Sequence, residues 1–214
     1  MKQRHVIWDW NGTLLNDVQI SHEITNRGLK RFGVPEVSLE HSRSVFALPI
    51  TTYYERIGVD FEKIPLKELQ HHFHDEYERR RTEAKLHDGI EQLLQTLKGQ
   101  GRTQSILSAH PASTLRLAVR DSGIEHFFSE IVGAENNFGE SKVQAGRRWM
   151  QETKRHDHSI VMIGDTVHDF EVASELEIAC ILIAHGYQSR DALVQTGVPV
   201  VDSVNELKAA LLDQ

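Results

Sequence analysis

Three aspartates hold most of the chemistry this chain can offer. Asp9 closes the apolar run Val6-Ile7-Trp8, Asp165 follows Ile160–Gly164, and Asp169 lies four residues further on in the stretch GDTVHD. That spacing sets the last two carboxylates near one another if a helical turn begins there. Converging carboxylates in a buried cleft repel, so they need a cation or a shared proton. Oxygen ligands without thiolates favour a hard cation, and Mg²⁺ is the candidate because it also takes phosphate oxygens. Ser108, closing the run Ser105-Ile106-Leu107, adds a hydroxyl in an equivalent position.

Such side chains meet only if the runs that carry them lie side by side. Val6–Trp8, Ser105–Leu107, Ile131–Val132, Ile160–Ile163, Cys180–Ile183 and Val198–Val201 are short and rich in aliphatic residues. They are predicted strands buried on both faces. Between them, Ile90, Leu93, Leu94 and Leu97 keep helical spacing, as do Val204, Leu207 and Leu211. The alternation predicts an α/β fold, a Rossmann-like doubly wound parallel sheet, whose ligands bind beyond the carboxyl ends of its strands. Residues 16–86 break the pattern, with helical stretches interrupted near Gly33-Val34-Pro35, Leu48-Pro49, Gly58 and Pro65 and no convincing strand. A small all-helical subdomain over 16–86 is therefore expected, inserted in a core made of 1–15 and 87–214.

The bulk numbers bound the partners. At 214 residues, 39% hydrophobic and 26% charged, the composition is that of a globular protein. A formal net charge of −7 offers no general attraction to a nucleic-acid backbone or an anionic membrane. No apolar run is long enough to span a bilayer, and MKQRHVIWDW lacks an apolar stretch of signal-peptide length. The lone Cys180 allows no internal disulfide and reads as a small buried hydrophobe in a reducing compartment. A cytoplasmic globular protein is expected. The oligomeric state has no signature in the sequence.

DWNGTLLND, residues 9–17, resembles the first motif of the haloacid dehalogenase (HAD) superfamily, whose usual form is Asp-x-Asp-Gly-Thr-Leu. Ser108 in SILSAH resembles the second motif, Lys142 in GESK the third and GDTVHD the fourth, in order along nearly the whole chain. The position of the helical insertion resembles that of the family's small cap, and RSVFALPITTYYERIG resembles the cap segment of phosphoglycolate-phosphatase-like members, with Ala47-Leu48-Pro49 replacing their Gly-x-Pro.

The resemblance implies a Mg²⁺-dependent phosphatase of a small phosphorylated metabolite. Asp9 would attack phosphorus and form an aspartyl-phosphate that water then hydrolyses. Mg²⁺ would be held by Asp9, the backbone carbonyl of Asn11, Asp165 and Asp169. Lys142, Ser108, Ala109 and backbone N–H groups near Asn11 and Gly12 would bind the phosphoryl oxygens, with Thr13 bracing the loop. Arg43 would meet a substrate anion through its forked guanidinium. Taken singly, each residue has a plainer reading. Asp9 would be a turn residue, Ser108 a helix cap, Lys142 and Arg43 surface residues, and HHFHDE (residues 71–76) a solvated helix rather than a zinc site.

Asn11 departs from the pattern. Phosphatases of this family usually carry a second Asp there, which protonates the leaving alkoxide and later deprotonates the attacking water. An amide has no proton to trade at neutral pH, and acid–base catalysis contributes roughly 10²–10⁴-fold. A slow enzyme, or one for substrates with good leaving groups, is expected, with His110 a candidate substitute donor. A phosphotransferase, another hydrolase using Asp9, or a weakly catalytic phosphate-binding regulator stay open. On residue types alone, Asn11→Asp is expected to raise turnover of a poor-leaving-group phosphate at least about tenfold, measured as phosphate release at saturating substrate.

Overall fold

All six predicted runs become strands of one parallel sheet in this computed structural model, which describes residues 4–134, 141–153 and 159–212. In chain order the elements begin with β1 (His5–Trp8), β2 (Leu15–Asn16) and helices α1 (Val18–Arg31), α2 (Leu39–Val45), α3 (Ile50–Arg56) and α4 (Leu66–Arg80). Then come β3 (Lys85–Leu86), α5 (Ile90–Gly99), β4 (Thr103–Pro111), α6 (Ala112–Asp121) and β5 (Glu130–Ala134). The chain continues with α7 (Lys142–Thr153), β6 (Ile160–Gly164), α8 (Val167–Glu175), β7 (Ala179–Ile183), α9 (Arg190–Val194), β8 (Val200–Val201) and α10 (Val204–Leu212). The sheet order is β5-β4-β1-β6-β7-β8, so the winding reverses around β1.

The apolar runs are continuous because both faces of the sheet are covered. Along β1, Val6 and Trp8 pack in one layer with Leu93 and Leu97 of α5 and Leu207 of α10. Ile7 points the other way, to Trp149 of α7 and Val172 of α8. Trp8 stays in the core because its indole N–H finds Gln104 Oε1 at 3.1 Å. Cys180 is buried in β7 with a free thiol. β4 runs beyond the predicted Ser105–Leu107, with an irregular register between Leu107 and Pro111. Pro111 explains the extension in part, since the residue before a proline favours extended backbone.

Helices α1–α4 occupy the predicted insertion and bury apolar clusters of their own, the larger around Leu29, Tyr53, Tyr54, Ile57 and Leu69. The segment is not free of strand. Leu15 pairs with Leu86 and Asn16 with Lys85 in an antiparallel ribbon where the chain leaves the core and returns. Two residues a side are too few to leave an alternating pattern in the sequence. No helix among the described residues is long and apolar enough to cross a membrane.

The loop after β1 turns at Gly12, whose φ of +75° suits glycine. A Cβ there would also collide with the Asp165 carboxylate. Two imidazoles hold the next carbonyls. His87 and His185 stack with centroids 3.6 Å apart and planes 6° from parallel. His87 Nε2 donates to Gly12 O and His185 Nε2 to Thr13 O, each at 3.1 Å. Burial keeps both rings neutral, and burial together with the neighbouring His87 pushes His185 down to about 3. An unfolded histidine takes up its proton near pH 6.5. Each ring therefore contributes stability above that pH and loses it as pH falls toward the folded value. His185→Gln keeps a side-chain N–H donor and removes the titration. Its Tm relative to the parent should rise steadily as pH drops from 7.5 to 5, by thermal unfolding in matched buffers; a pH-independent difference would contradict the buried neutral ring.

Candidate active site

β1, β4 and β6 bring their carboxyl ends to one edge. Trp8 lies opposite both Ile106 and Ile163, and the Asp9 N–H donates to Ile163 O at 2.9 Å. Asp9, Ser108 and Asp165 therefore arrive together where the winding reverses, the usual ligand position in an open α/β sheet. Lys142, the first residue of α7, is 4% exposed. Its Nζ lies 2.5 Å from Asp9 Oδ1 and 2.6 Å from Asp169 Oδ1. Gly139 and Glu140 of the same motif fall outside the described residues.

Each remaining carboxylate is fixed by its own element. Asp169 sits in the first turn of α8, where its Oδ2 accepts from the Thr166 N–H at 3.0 Å and the Thr166 hydroxyl at 2.7 Å in a capping box. Asp165 accepts from the Thr13 hydroxyl at 2.7 Å and from the Tyr187 N–H at 2.6 Å. Thr13 thus braces the carboxylate as well as the loop. A Cβ at Gly186 would also run into Asp165.

The charges do not balance inside this cluster. Burial raises Asp9 to about 7 despite Lys142, and burial with the neighbouring Asp9 and Asp169 holds Asp165 well above the ordinary carboxyl range. Asp169 is also buried, but Lys142 and Thr166 keep it below its ordinary value. Lys142 is held above its own ordinary value by the two carboxylates, against the effect of burial. One ammonium, bonded to two of the acids, thus stands against three. Oxygens of Asp9, Asp165 and Asp169 lie within 4.8 Å of one another, the one acidic or histidine cluster of that kind among the described residues. An all-oxygen, electron-rich, buried set fits a hard divalent cation.

Other sequence-selected residues are placed differently. Ser108 is buried, and its Oγ accepts from the His110 N–H at 3.2 Å, while Ala109 is exposed. The Gly12 N–H is turned inward, to Leu15 O and Asp17 Oδ1 at 2.9 Å each. Arg43 donates to the Ala184 and Gln188 carbonyls and lines a cavity of about 330 Å³ among α1–α4. His110 lines a second cavity, of about 560 Å³, with Trp10 and Tyr77, and burial lowers its pKa. His71 and Asp75 form an exposed pair at 3.3 Å.

Sequence reading missed Asp17. It stands before α1 in the place of a helix cap, yet makes no side-chain cap bond and is 0% exposed. Its carboxylate accepts from the Gly12 N–H, from Asn11 Nδ2 at 2.7 Å, from Tyr77 Oη at 2.6 Å and from Tyr187 Oη at 3.0 Å. No basic side chain among the described residues pairs with it, and burial pushes its carboxyl up while those donors pull it down. Tyr77 was hidden in the charged run EYERRRTEAK. Its signal was the four-residue spacing of Leu69, Phe73 and Tyr77 along α4.

Known proteins resemble this chain over most of its length. Residues 6–183 match the family of haloacid dehalogenase-like hydrolases. A 5′-nucleotidase of Pseudomonas aeruginosa is 25% identical over 203 residues, covering 90% of this chain and 88% of its own. A phosphoglycolate phosphatase of Aliivibrio fischeri is 22% identical over 213 residues, covering 92% and 88%. The crystal structure of a "predicted phosphatase" from Clostridium acetobutylicum superposes with a TM-score of 0.85 at 23% identity, over the full length of both chains. Because the matched span runs from β1 through β7 and takes in the whole carboxylate cluster, the chain belongs to the haloacid dehalogenase-like hydrolases.

Proposed function

We propose that the chain hydrolyses a small phosphomonoester with Asp9 as nucleophile. The observation that carries this reading is the buried Asp9–Lys142–Asp169 bridge beside Asp165. Mg²⁺ would be held by Asp9, Asp165, Asp169 and the Asn11 carbonyl, and when bound it offsets the phosphate's negative charge. An Asp9 carboxylate oxygen forms a bond to phosphorus as the bond to the leaving alkoxide breaks. Water then attacks phosphorus and releases Asp9 as a carboxylate; the alkoxide takes a proton from solvent and the attacking water gives one back to it, since Asn11 can trade none. Lys142 keeps one Asp9 oxygen in place and supplies positive charge for the incoming phosphate. Ser108, at the same sheet edge, would donate its hydroxyl hydrogen to a phosphoryl oxygen.

Helices α1–α4 act in this reading as a cap over the site, spanning residues 16–86 on a core of 1–15 and 87–214. Their cavity bears on the substrate's organic part. Phe46, Tyr53, Tyr54, Phe73 and Tyr187 line it, with the Arg43 guanidinium among them. Arg43 has no carboxylate partner among the described residues, and its buried Nε lacks a hydrogen-bond partner. Aromatic walls with one unpaired cation suit a ringed group bearing acceptor atoms, so a nucleoside monophosphate fits better than phosphoglycolate. A cytoplasmic setting fits the free buried thiol of Cys180.

Phosphate release should be measured with Mg²⁺ and with chelator, on nucleoside 5′-monophosphates, phosphoglycolate and p-nitrophenyl phosphate. Activity should require the metal, and Asp9→Asn should lower it at least about 10³-fold. Wild-type turnover in that variant would refute the nucleophile. Mg²⁺ should also raise the Tm of the parent and leave that of Asp165→Asn unmoved.

A further inference from the structure

Asn11, Asp17 and Tyr77 form a closed ring of hydrogen bonds. Asn11 Nδ2 donates one hydrogen to Asp17 Oδ2 at 2.7 Å and the other to Tyr77 Oη at 2.8 Å. The Tyr77 hydroxyl donates in turn to the same Asp17 oxygen at 2.6 Å. Both amide hydrogens are needed to close the ring, and a carboxylate at position 11 has none to give. Asp17 reaches further. Through the Gly12 N–H it touches the catalytic loop, through Tyr77 it touches α4, and through Tyr187 the segment after β7. The Tyr187 N–H is itself the donor to Asp165.

We infer that Asp17 is a positioning residue and that positions 11 and 17 work as one unit: the carboxylate at 17 requires a hydrogen donor at 11. This rests on the phosphatase reading only for its consequence in catalysis. It runs counter to the expectation from residue types that Asn11→Asp alone improves the enzyme, and the two are told apart by the test below. That exchange sets two carboxylates at hydrogen-bond distance, with no basic side chain among the described residues paired to Asp17, and leaves Tyr77 facing an acceptor. The exchange that respects the ring is reciprocal. With Asp at 11 and Asn at 17, the number of hydrogens and the net charge are unchanged, and the amide at 17 can still accept from the Gly12 N–H while donating to residue 11.

The test is a double-mutant cycle with the full-length protein, comparing Asn11→Asp, Asp17→Asn and the double exchange. Each single variant should lose about 3 °C or more of Tm at pH 7.5, or fail to fold, whereas the double exchange should fold and recover most of the loss. A double exchange no more stable than the two losses summed would overturn the inference, as would Asn11→Asp with parental Tm. Turnover supplies the second readout. The double exchange should raise kcat on a nucleoside 5′-monophosphate at least about tenfold and on p-nitrophenyl phosphate much less. An equal effect on both substrates, or the same gain from Asn11→Asp alone, would also count against it. If no protein in the cycle releases phosphate from any ester, the phosphatase reading fails, while the Tm pattern still decides the pairing.

Discussion

Lys142 is the one positive group inside a cluster of three buried carboxylates, and the architecture around the sheet edge follows from that imbalance. A lysine this deep survives only because Asp9 and Asp169 both hold it, each within hydrogen-bond distance. Asp165 has no share of it and leans instead on a hydroxyl and a backbone N–H. The glycines facing these acids are a further consequence. Gly12 and Gly186 lie where any side chain would meet Asp165, so the backbone itself forms the wall of the site. A cleft built this way is rich in negative charge, with one ammonium against three buried acids, and favours a hard cation.

Much of the core was legible because its physics is local. A strand buried on both faces must be apolar without interruption, and an aspartate ending such a run stands out. The helices α5 and α10 announced themselves by spacing, and Leu93, Leu94 and Leu97 are indeed buried to 1% exposure or less. Asp9, Lys142, Asp165 and Asp169 could be selected from the sequence, but not the lysine's double contact. That depends on α7 starting opposite α8, a fact of tertiary packing.

The partners of Asn11 were not legible. Asp17 has the sequence position of an ordinary helix cap, and only its complete burial distinguishes it. Tyr77 and Tyr187 lie 60 and 170 residues from Asp17 along the chain, and no local pattern links them. The stacked pair of His87 and His185 was equally hidden, since neither residue has a neighbour in sequence that hints at the other. Reading Asn11 by itself framed it as a missing acid. In its surroundings it is a donor that a second carboxylate demands.

The β2–β3 ribbon has a bearing on how such a protein can vary. Leu15 pairs with Leu86 and Asn16 with Lys85, so the segment between them starts and finishes at one fixed point. Closing a loop costs only slowly more as it lengthens, and the main sheet takes its register from strands outside the ribbon. The ribbon is thus a socket. What is plugged into it can be exchanged for a longer, shorter or differently lined set of helices with the strand register kept, provided the new segment again supplies partners for the loop after Asp9, as Asp17 and Tyr77 do here.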